Sequence, residues 1–183
     1  MHTPELLAPA GGMPQLKAAL RFGADAVYGA LKSYGLRASA GNFSWEELQE
    51  ALSLCHEKGA KFYLTLNILP YDSEMQGLLE TAKKACEMGV DAAIVSDIGA
   101  FLALRRKVPA LPLHISTQAN TLNSETALFF SQMGAERIVL ARELSLNQIA
   151  AIRERLPEDT QIETFVHGAM CMSYSGRCML SDH

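Results

Sequence analysis

The 183-residue sequence lacks the features of several common protein classes. No apolar run approaches the roughly 20 residues that a membrane-spanning helix needs. The first dozen residues have neither the basic start nor the apolar run of a secretory signal peptide. A net charge of −4 argues against a uniformly basic surface for nucleic acid, although it permits a local basic patch. We therefore expect a cytoplasmic protein without membrane association, in which the cysteines are thiols or metal ligands rather than disulfides.

Several catalytic and nucleotide-binding motifs are also absent. No glycine-rich phosphate loop follows a predicted strand, which weighs against a nucleotide-binding open sheet. Neither the HExxH zinc motif nor the GxSxG nucleophile motif occurs. A thiol peptidase would need Cys171 or Cys178 as nucleophile and His167 as base, but no orienting Asn or Asp is evident. The residues alone therefore give little support to proteolysis.

What the sequence does contain is a repeated unit of helix, glycine and strand. Four times a glycine ends a helix-like stretch and an apolar run begins one or two residues later, at Gly23, Gly59, Gly89 and Gly134. Glycine suits the left-handed position that follows a helix. The spacings of 30 to 45 residues match the size of a βα unit. One helix start is marked strongly, because Ser44 and Glu47 form a capping-box pattern.

These units predict a single α/β domain built on parallel strands. Seven strands are expected near 5–8, 26–28, 62–67, 92–96, 113–117, 137–141 and 162–166. A (β/α)8 barrel of the TIM type is the first interpretation, and an open parallel α/β sheet is the alternative. A complete barrel usually has about 250 residues and eight strands. We therefore expect residues 1–183 to form one incomplete barrel, truncated after Cys171 and Cys178, whose unclosed edge invites self-association.

Polar side chains follow the predicted strands at the end where such barrels bind substrates. The candidates for substrate binding are Asn67, Asp97, Gln118, Asn120 and Glu143, and the candidates for catalysis are Arg142, Glu163 and His167. As alternatives, Asp97 and Asn120 could cap the next helix, and His167 could be a structural histidine. Glu163 lies inside a predicted strand, where a carboxylate is costly unless paired, for instance with Arg142.

The cysteines form two pairs by position. Cys55 and Cys86 fall near the ends of two predicted helices, away from the predicted pocket, and are most simply small core residues. Cys171 and Cys178 follow the seventh strand, on the functional side. Their C-x6-C spacing differs from that of a zinc knuckle and is only a moderate indication of a metal site.

The segment from Glu163 to Ser181 resembles the signature of the collagenase-like peptidase family U32. The pattern E-x-F-x-x-G-[SA]-x-C-x-x-x-x-G-x-C-x-x-S is matched at every fixed position. The segments 4–11, 23–28, 116–120 and 140–146 are also similar to this family. The resemblance covers essentially the whole chain and is nearest to the branch of tRNA hydroxylation proteins.

The resemblance implies more than one activity. The family name implies a peptidase, and some members are described as collagenases. Other branches imply oxygen-independent hydroxylation of a tRNA wobble uridine, of an rRNA cytidine or of a ubiquinone precursor. In these branches a four-iron, four-sulfur cluster held by four cysteines is implied, with prephenate as hydroxyl source for RNA. Carried over by position, Cys171 and Cys178 would be two of the cluster ligands.

We rank prephenate-dependent, cluster-linked tRNA hydroxylation above a collagenase-like peptidase. A third hypothesis, favoured by the missing barrel closure, is a non-catalytic fragment that needs a partner chain. The cations that could contact tRNA phosphates are Lys32, Arg37, Arg105, Arg106 and Lys107, although most of them are expected to be ordinary solvated surface.

Overall fold

A computed structural model describes residues 3–32, 42–168 and 173–175 of the chain. Its strands are β1 (Leu7–Pro9), β2 (Ala26–Ala30), β3 (Lys61–Leu66), β4 (Ala92–Val95), β5 (Leu113–Ile115), β6 (Arg137–Val139) and β7 (Gln161–Glu163). Its helices are α1 (Met13–Arg21), α2 (Trp45–Glu57), α3 (Asp72–Glu87), α4 (Ile98–Lys107), α5 (Ser124–Gln132) and α6 (Leu146–Arg155). The alternation of strand and helix predicted from the sequence is confirmed.

All seven strands are parallel and pair in the order of the chain, from β1 to β7. The sheet curls into a half-barrel. A contact between its first and sixth strands shows this curl, since a carboxylate oxygen of Glu5, just before β1, lies 2.7 Å from Nη1 of Arg137 on β6. The incomplete TIM-type barrel is therefore the correct interpretation and the flat open sheet is not. β1 and β7 are the two edges of this sheet within the described ranges.

The glycines that punctuate the sequence end helices as predicted. Gly23, Gly59, Gly89 and Gly134 all have positive φ angles, between 71° and 93°. At Gly134 the positive φ disfavours any side chain, and a Cβ would also lie 2.7 Å from the guanidinium of Arg105, which would have to move. The capping box is present too: Ser44 Oγ accepts from the Glu47 amide at 3.2 Å, and Glu47 Oε2 accepts from the Ser44 amide at 2.8 Å.

The strands bury side chains on both faces. On β3, Phe62, Leu64 and Leu66 belong to the large core between sheet and helices. Tyr63 points the other way, into a small cluster inside the barrel that also contains Ala26, Ala92 and Ile94. Side chains alternate between the faces of a strand, so residues 63, 65 and 67 share the barrel side. No helix in the described part of the chain is long and apolar enough to cross a membrane.

Candidate active site at the C-terminal ends of the strands

The carboxyl ends of β3, β4 and β5 bring three polar side chains into one hydrogen-bonded group. Asn67 directly follows β3, Ser96 follows β4, and Gln118 lies in the short 3-10 turn Thr117–Ala119 after β5. Oε1 of Gln118 accepts from Nδ2 of Asn67 at 2.8 Å and from Oγ of Ser96 at 3.2 Å. We call these three residues the amide cluster. The structure thus joins two of the candidate substrate-binding residues, Asn67 and Gln118, by a hydrogen bond.

Two of the other predicted binding residues have local structural roles. Asp97 is the N-cap of α4, and its Oδ1 accepts from the Ala100 amide at 2.7 Å. Asn120 does not cap a helix, because the N-cap of α5 is Asn123. It ends the 3-10 turn with a left-handed φ of 56°. Its Oδ1 is buried and has no hydrogen-bond partner within the described residues.

Arg142 and Glu143, at the end of the sixth strand, hold the short segment 173–175. Nη2 of Arg142 donates to the carbonyl of Ser173 at 2.7 Å, and Oε1 of Glu143 accepts from the Ser175 amide at 2.8 Å. Partial burial of the Glu143 carboxylate tends to raise its pKa. The hydrogen bonds that it accepts, above all the one from the Ser175 amide, outweigh this effect and keep the pKa below its usual range. Segment 173–175 lies between Cys171 and Cys178 in the sequence. These two contacts therefore tie the residues between the two cysteines to the peptide that follows the sixth strand.

The two cysteines of the motif lie outside the described residues. His167 is exposed, and it precedes Gly168, whose φ of 135° lies in the region that favours glycine. β7 ends at Glu163, four positions before His167, so the expected continuation of the strand to residue 166 is wrong. The predicted pairing of His167 with Cys171 or Cys178 thus involves residues outside the described ranges.

Glu163 belongs to a charged network inside the barrel. Its Oε2 lies 3.3 Å from Nη1 of Arg137, so the suggested ion pair with Arg142 is wrong. The same nitrogen pairs with Glu5, and Nε of Arg137 donates to Gln161 at 2.8 Å. Burial raises the pKa of Glu163, against the attraction of Arg137. The network links both Glu163 on β7 and Glu5, just before β1, to Arg137 on β6.

Tyr63 and His114 complete this network. The hydroxyl of Tyr63 donates to Glu5 at 2.8 Å, and its ring contacts the imidazole of His114 edge-to-face with centroids 4.7 Å apart. His114 is 1% exposed, and neither ring nitrogen has a hydrogen-bond partner within the described residues. Glu136 lies 4.0 Å from Nε2, which is too far for a hydrogen bond. Burial, reinforced by the charge of Arg137, lowers the pKa of His114 to about 3, so the ring is neutral.

The sequence analysis missed this network, although a signal was present. Glu5 and Arg137 were both placed at the start of apolar strands, where an isolated charge is costly. Two opposite charges at corresponding positions of different strands indicate a buried ion pair. This pattern is enough to indicate that Glu5 and Arg137 need partners of opposite charge. It does not show that they pair with each other, because that contact across the barrel depends on the curl of the sheet.

The remaining cysteines do not fit a role as cluster ligands. Cys55 is fully buried on α2, and Cys86 is partly buried on α3. Both lie at the C-terminal ends of these helices, and therefore at the end of the barrel opposite the amide cluster. Burial, with the nearby charge of Asp91, raises the pKa of Cys55 to about 11, which disfavours the thiolate that binds metal. Within the described residues no group of three metal-binding side chains is present.

Comparison with known proteins gives one consistent family. The model of peptidase family U32 matches residues 11–183. The chain is 45% identical to tRNA hydroxylation protein P of Escherichia coli, covering 100% of this chain and 40% of that protein. It is 41% identical to the 23S rRNA 5-hydroxycytidine synthase of Escherichia coli, over 98% of this chain and 27% of that protein.

A relative with a different name is also similar. The chain is 38% identical to a collagenase of Porphyromonas gingivalis, over 98% of this chain and 45% of that protein. The solved structure of the U32 peptidase Mk0906 superposes with a TM-score of 0.72 at 17% identity, covering 90% of this chain and 70% of that one. The chain thus spans less than half the length of these three curated relatives.

Proposed function

Because this chain belongs to peptidase family U32, we propose that it acts in RNA modification, as part of a protein that hydroxylates a tRNA wobble uridine. The observation that carries the proposal is 45% identity over the whole chain to a tRNA hydroxylation protein. An rRNA hydroxycytidine synthase at 41% identity supports RNA as the substrate class. A cytoplasmic location fits a tRNA substrate.

The residues proposed to bind substrate are those at the carboxyl ends of the strands. The amide cluster offers neutral hydrogen-bonding groups at the end of the barrel where substrates bind in this fold. Arg142 and Glu143 position the segment between the two cysteines of the motif. Glu163 and His167 are the other candidates for catalysis. Glu163 pairs with Arg137, and His167 lies in the sequence between Glu163 and segment 173–175.

The proposed cofactor is an iron–sulfur cluster, to which Cys171 and Cys178 contribute two thiolates. When bound, such a cluster supplies electron-transfer chemistry. Cys55 and Cys86 cannot complete the ligand set, since they lie at the other end of the barrel. The other two thiolates therefore come from protein outside these 183 residues, or from a second copy that associates through the unclosed barrel. Prephenate is the proposed hydroxyl donor.

Nucleoside mass spectrometry tests this function. tRNA is isolated from a strain that lacks its own tRNA hydroxylation protein and expresses the gene carrying this chain. Hydroxylated wobble uridine is expected with the wild type and is expected to be lost with Cys171→Ala and with Cys178→Ala. Cys55→Ala is the matched control and should retain the modification. Unmodified tRNA in the wild-type strain would contradict the proposal.

A collagenase-like peptidase is the second candidate, because the Porphyromonas gingivalis relative is called a collagenase. Gelatin cleavage by the purified protein, abolished by Cys171→Ala, would support it. The third hypothesis, a non-catalytic fragment, predicts that the chain neither modifies tRNA nor cleaves gelatin and co-purifies with a partner chain.

A further inference from the structure

We propose that Gln118, held by Asn67 and Ser96, hydrogen-bonds the edge of an unpaired pyrimidine base. The inference rests on the RNA function proposed above and assigns the residues that contact the base.

The two hydrogen bonds inside the cluster fix the orientation of the Gln118 amide. Its oxygen accepts from both Asn67 Nδ2, at 2.8 Å, and Ser96 Oγ, at 3.2 Å. The amide nitrogen therefore faces away from these two partners, and it donates to no group within the described residues. An amide nitrogen carries two N–H donors. Gln118 thus presents unused donors at the carboxyl end of the strands.

The turn that carries Gln118 is held rigidly. Oγ of Ser116 accepts from the Gln118 amide at 3.2 Å, and the Asn120 amide donates to the carbonyl of Thr117 at 3.0 Å. Oγ1 of Thr117 also donates to the carbonyl of Leu140, at 3.1 Å, which ties the turn to the end of the sixth strand. A binding group fixed in this way loses little conformational entropy when it binds a ligand.

Hydrogen-bonding capacity also remains in the residues that follow the turn. Oδ1 of Asn120 and Oγ1 of Thr121 are buried without partners within the described residues. Thr121 is fully buried, and buried polar atoms in proteins nearly always have a partner. Both atoms are enclosed, so the hydrogen-bonding groups that a ligand can reach in this loop are the donors of Gln118. A pyrimidine edge carries both carbonyl acceptors and N–H donors, and such edges are read in unpaired nucleotides.

The two hydrogen bonds inside the amide cluster join neutral groups. A neutral base can therefore accept from the Gln118 amide without bringing an unpaired charge into a partly buried site, which would be costly.

Fluorescence anisotropy with two RNA probes tests the inference on the full chain. One probe is a labelled anticodon stem-loop with uridine at the wobble position, and the other lacks the base at that position. The variant Gln118→Glu keeps an oxygen for Asn67 and Ser96 and removes the N–H donors, and Gln118→Met removes both without adding charge. Gln132→Glu, at an exposed position of α5, is the control for the added negative charge.

The wild type and Gln132→Glu should bind the uridine probe about tenfold more tightly than the abasic probe, the effect of a hydrogen bond or two. Both Gln118 variants should lose this preference, and Gln118→Met should bind the abasic probe as the wild type does. Equal affinity of the wild type for both probes, or a preference that survives in the Gln118 variants, overturns the inference that the amide cluster recognises the base. That outcome leaves the proposed RNA function standing. Binding of neither probe to the wild type overturns the RNA function itself, and the inference with it.

Discussion

Replacing His114 with phenylalanine should make folding less sensitive to acid. His114 lies inside the barrel, 1% exposed, with its ring edge-to-face against Tyr63 and with no hydrogen bond to its nitrogens within the described residues. Burial, and then the charge of Arg137, lowers its pKa from an ordinary 6.5 to about 3. Phenylalanine keeps the aromatic contact and cannot take up a proton.

The sign and size of the effect follow from proton linkage. Below pH 6.5 the unfolded chain binds a proton at His114 and the folded chain does not, so this group destabilises the fold as the pH falls from 6.5 to about 3. Each pH unit within this window costs up to about 1.4 kcal/mol. Between pH 7 and pH 5 the wild type should therefore lose about 2 kcal/mol of unfolding free energy through this residue alone.

Urea unfolding at a series of pH values measures this difference. The free energy of unfolding of the wild type should fall more steeply between pH 7 and pH 5 than that of His114→Phe, by about 2 kcal/mol over the range. His167→Gln removes an exposed histidine and serves as the control. Parallel curves for wild type and His114→Phe would show that His114 is not held neutral in the barrel, and would refute the reasoning.

Four further predictions concern the charged network, the cysteine-bearing segment, the buried thiol and a helix start. Arg137→Met leaves Glu163 without its ion-pair partner and leaves Glu5 with only Lys61 and Tyr63 among the described residues, so urea unfolding should show a loss of about 3–5 kcal/mol; a loss below about 1 kcal/mol would contradict a buried pair. Glu143→Gln weakens the hydrogen bond from the Ser175 amide, so exchange of that amide, measured by mass spectrometry, should become faster. Cys55 should resist iodoacetamide at pH 8 until the protein is denatured, because burial raises its pKa to about 11. Ser44→Ala removes the cap of α2 and should cost about 1 kcal/mol by urea unfolding, whereas no change would argue against the capping box.

The fold could be predicted from the sequence because its signals are local. A glycine after each helix and an apolar run after each glycine define the βα units, and all four marked glycines have positive φ angles. The predicted positions of the strand ends were less accurate. Apolar and aromatic residues continue past Glu163, but β7 ends there, because pairing with β6 stops at Val139. A periodic pattern shows which residues suit a strand, while the length of the strand depends on its neighbour.

The candidate site could be predicted only in part. Position after a strand was enough to select Asn67 and Gln118, which the structure joins by a hydrogen bond. The same rule also selected Asp97, which caps a helix instead, because a carboxylate after a strand suits either role. Arg137 was not selected, since its partners lie 132 residues earlier and 26 residues later in the chain. Contacts of that range depend on the curvature of the sheet, which no local pattern gives.

Photocrosslinking tests the central claim most directly, namely that RNA binds at the carboxyl ends of the strands. An anticodon stem-loop with 4-thiouridine at the wobble position is irradiated with the protein, and the crosslinked peptides are identified by mass spectrometry. We predict crosslinks in the peptides that contain Asn67, Ser96 and Gln118. Crosslinks concentrated instead at Arg105–Lys107, in the last turn of α4 at the opposite end of the barrel, would contradict the account.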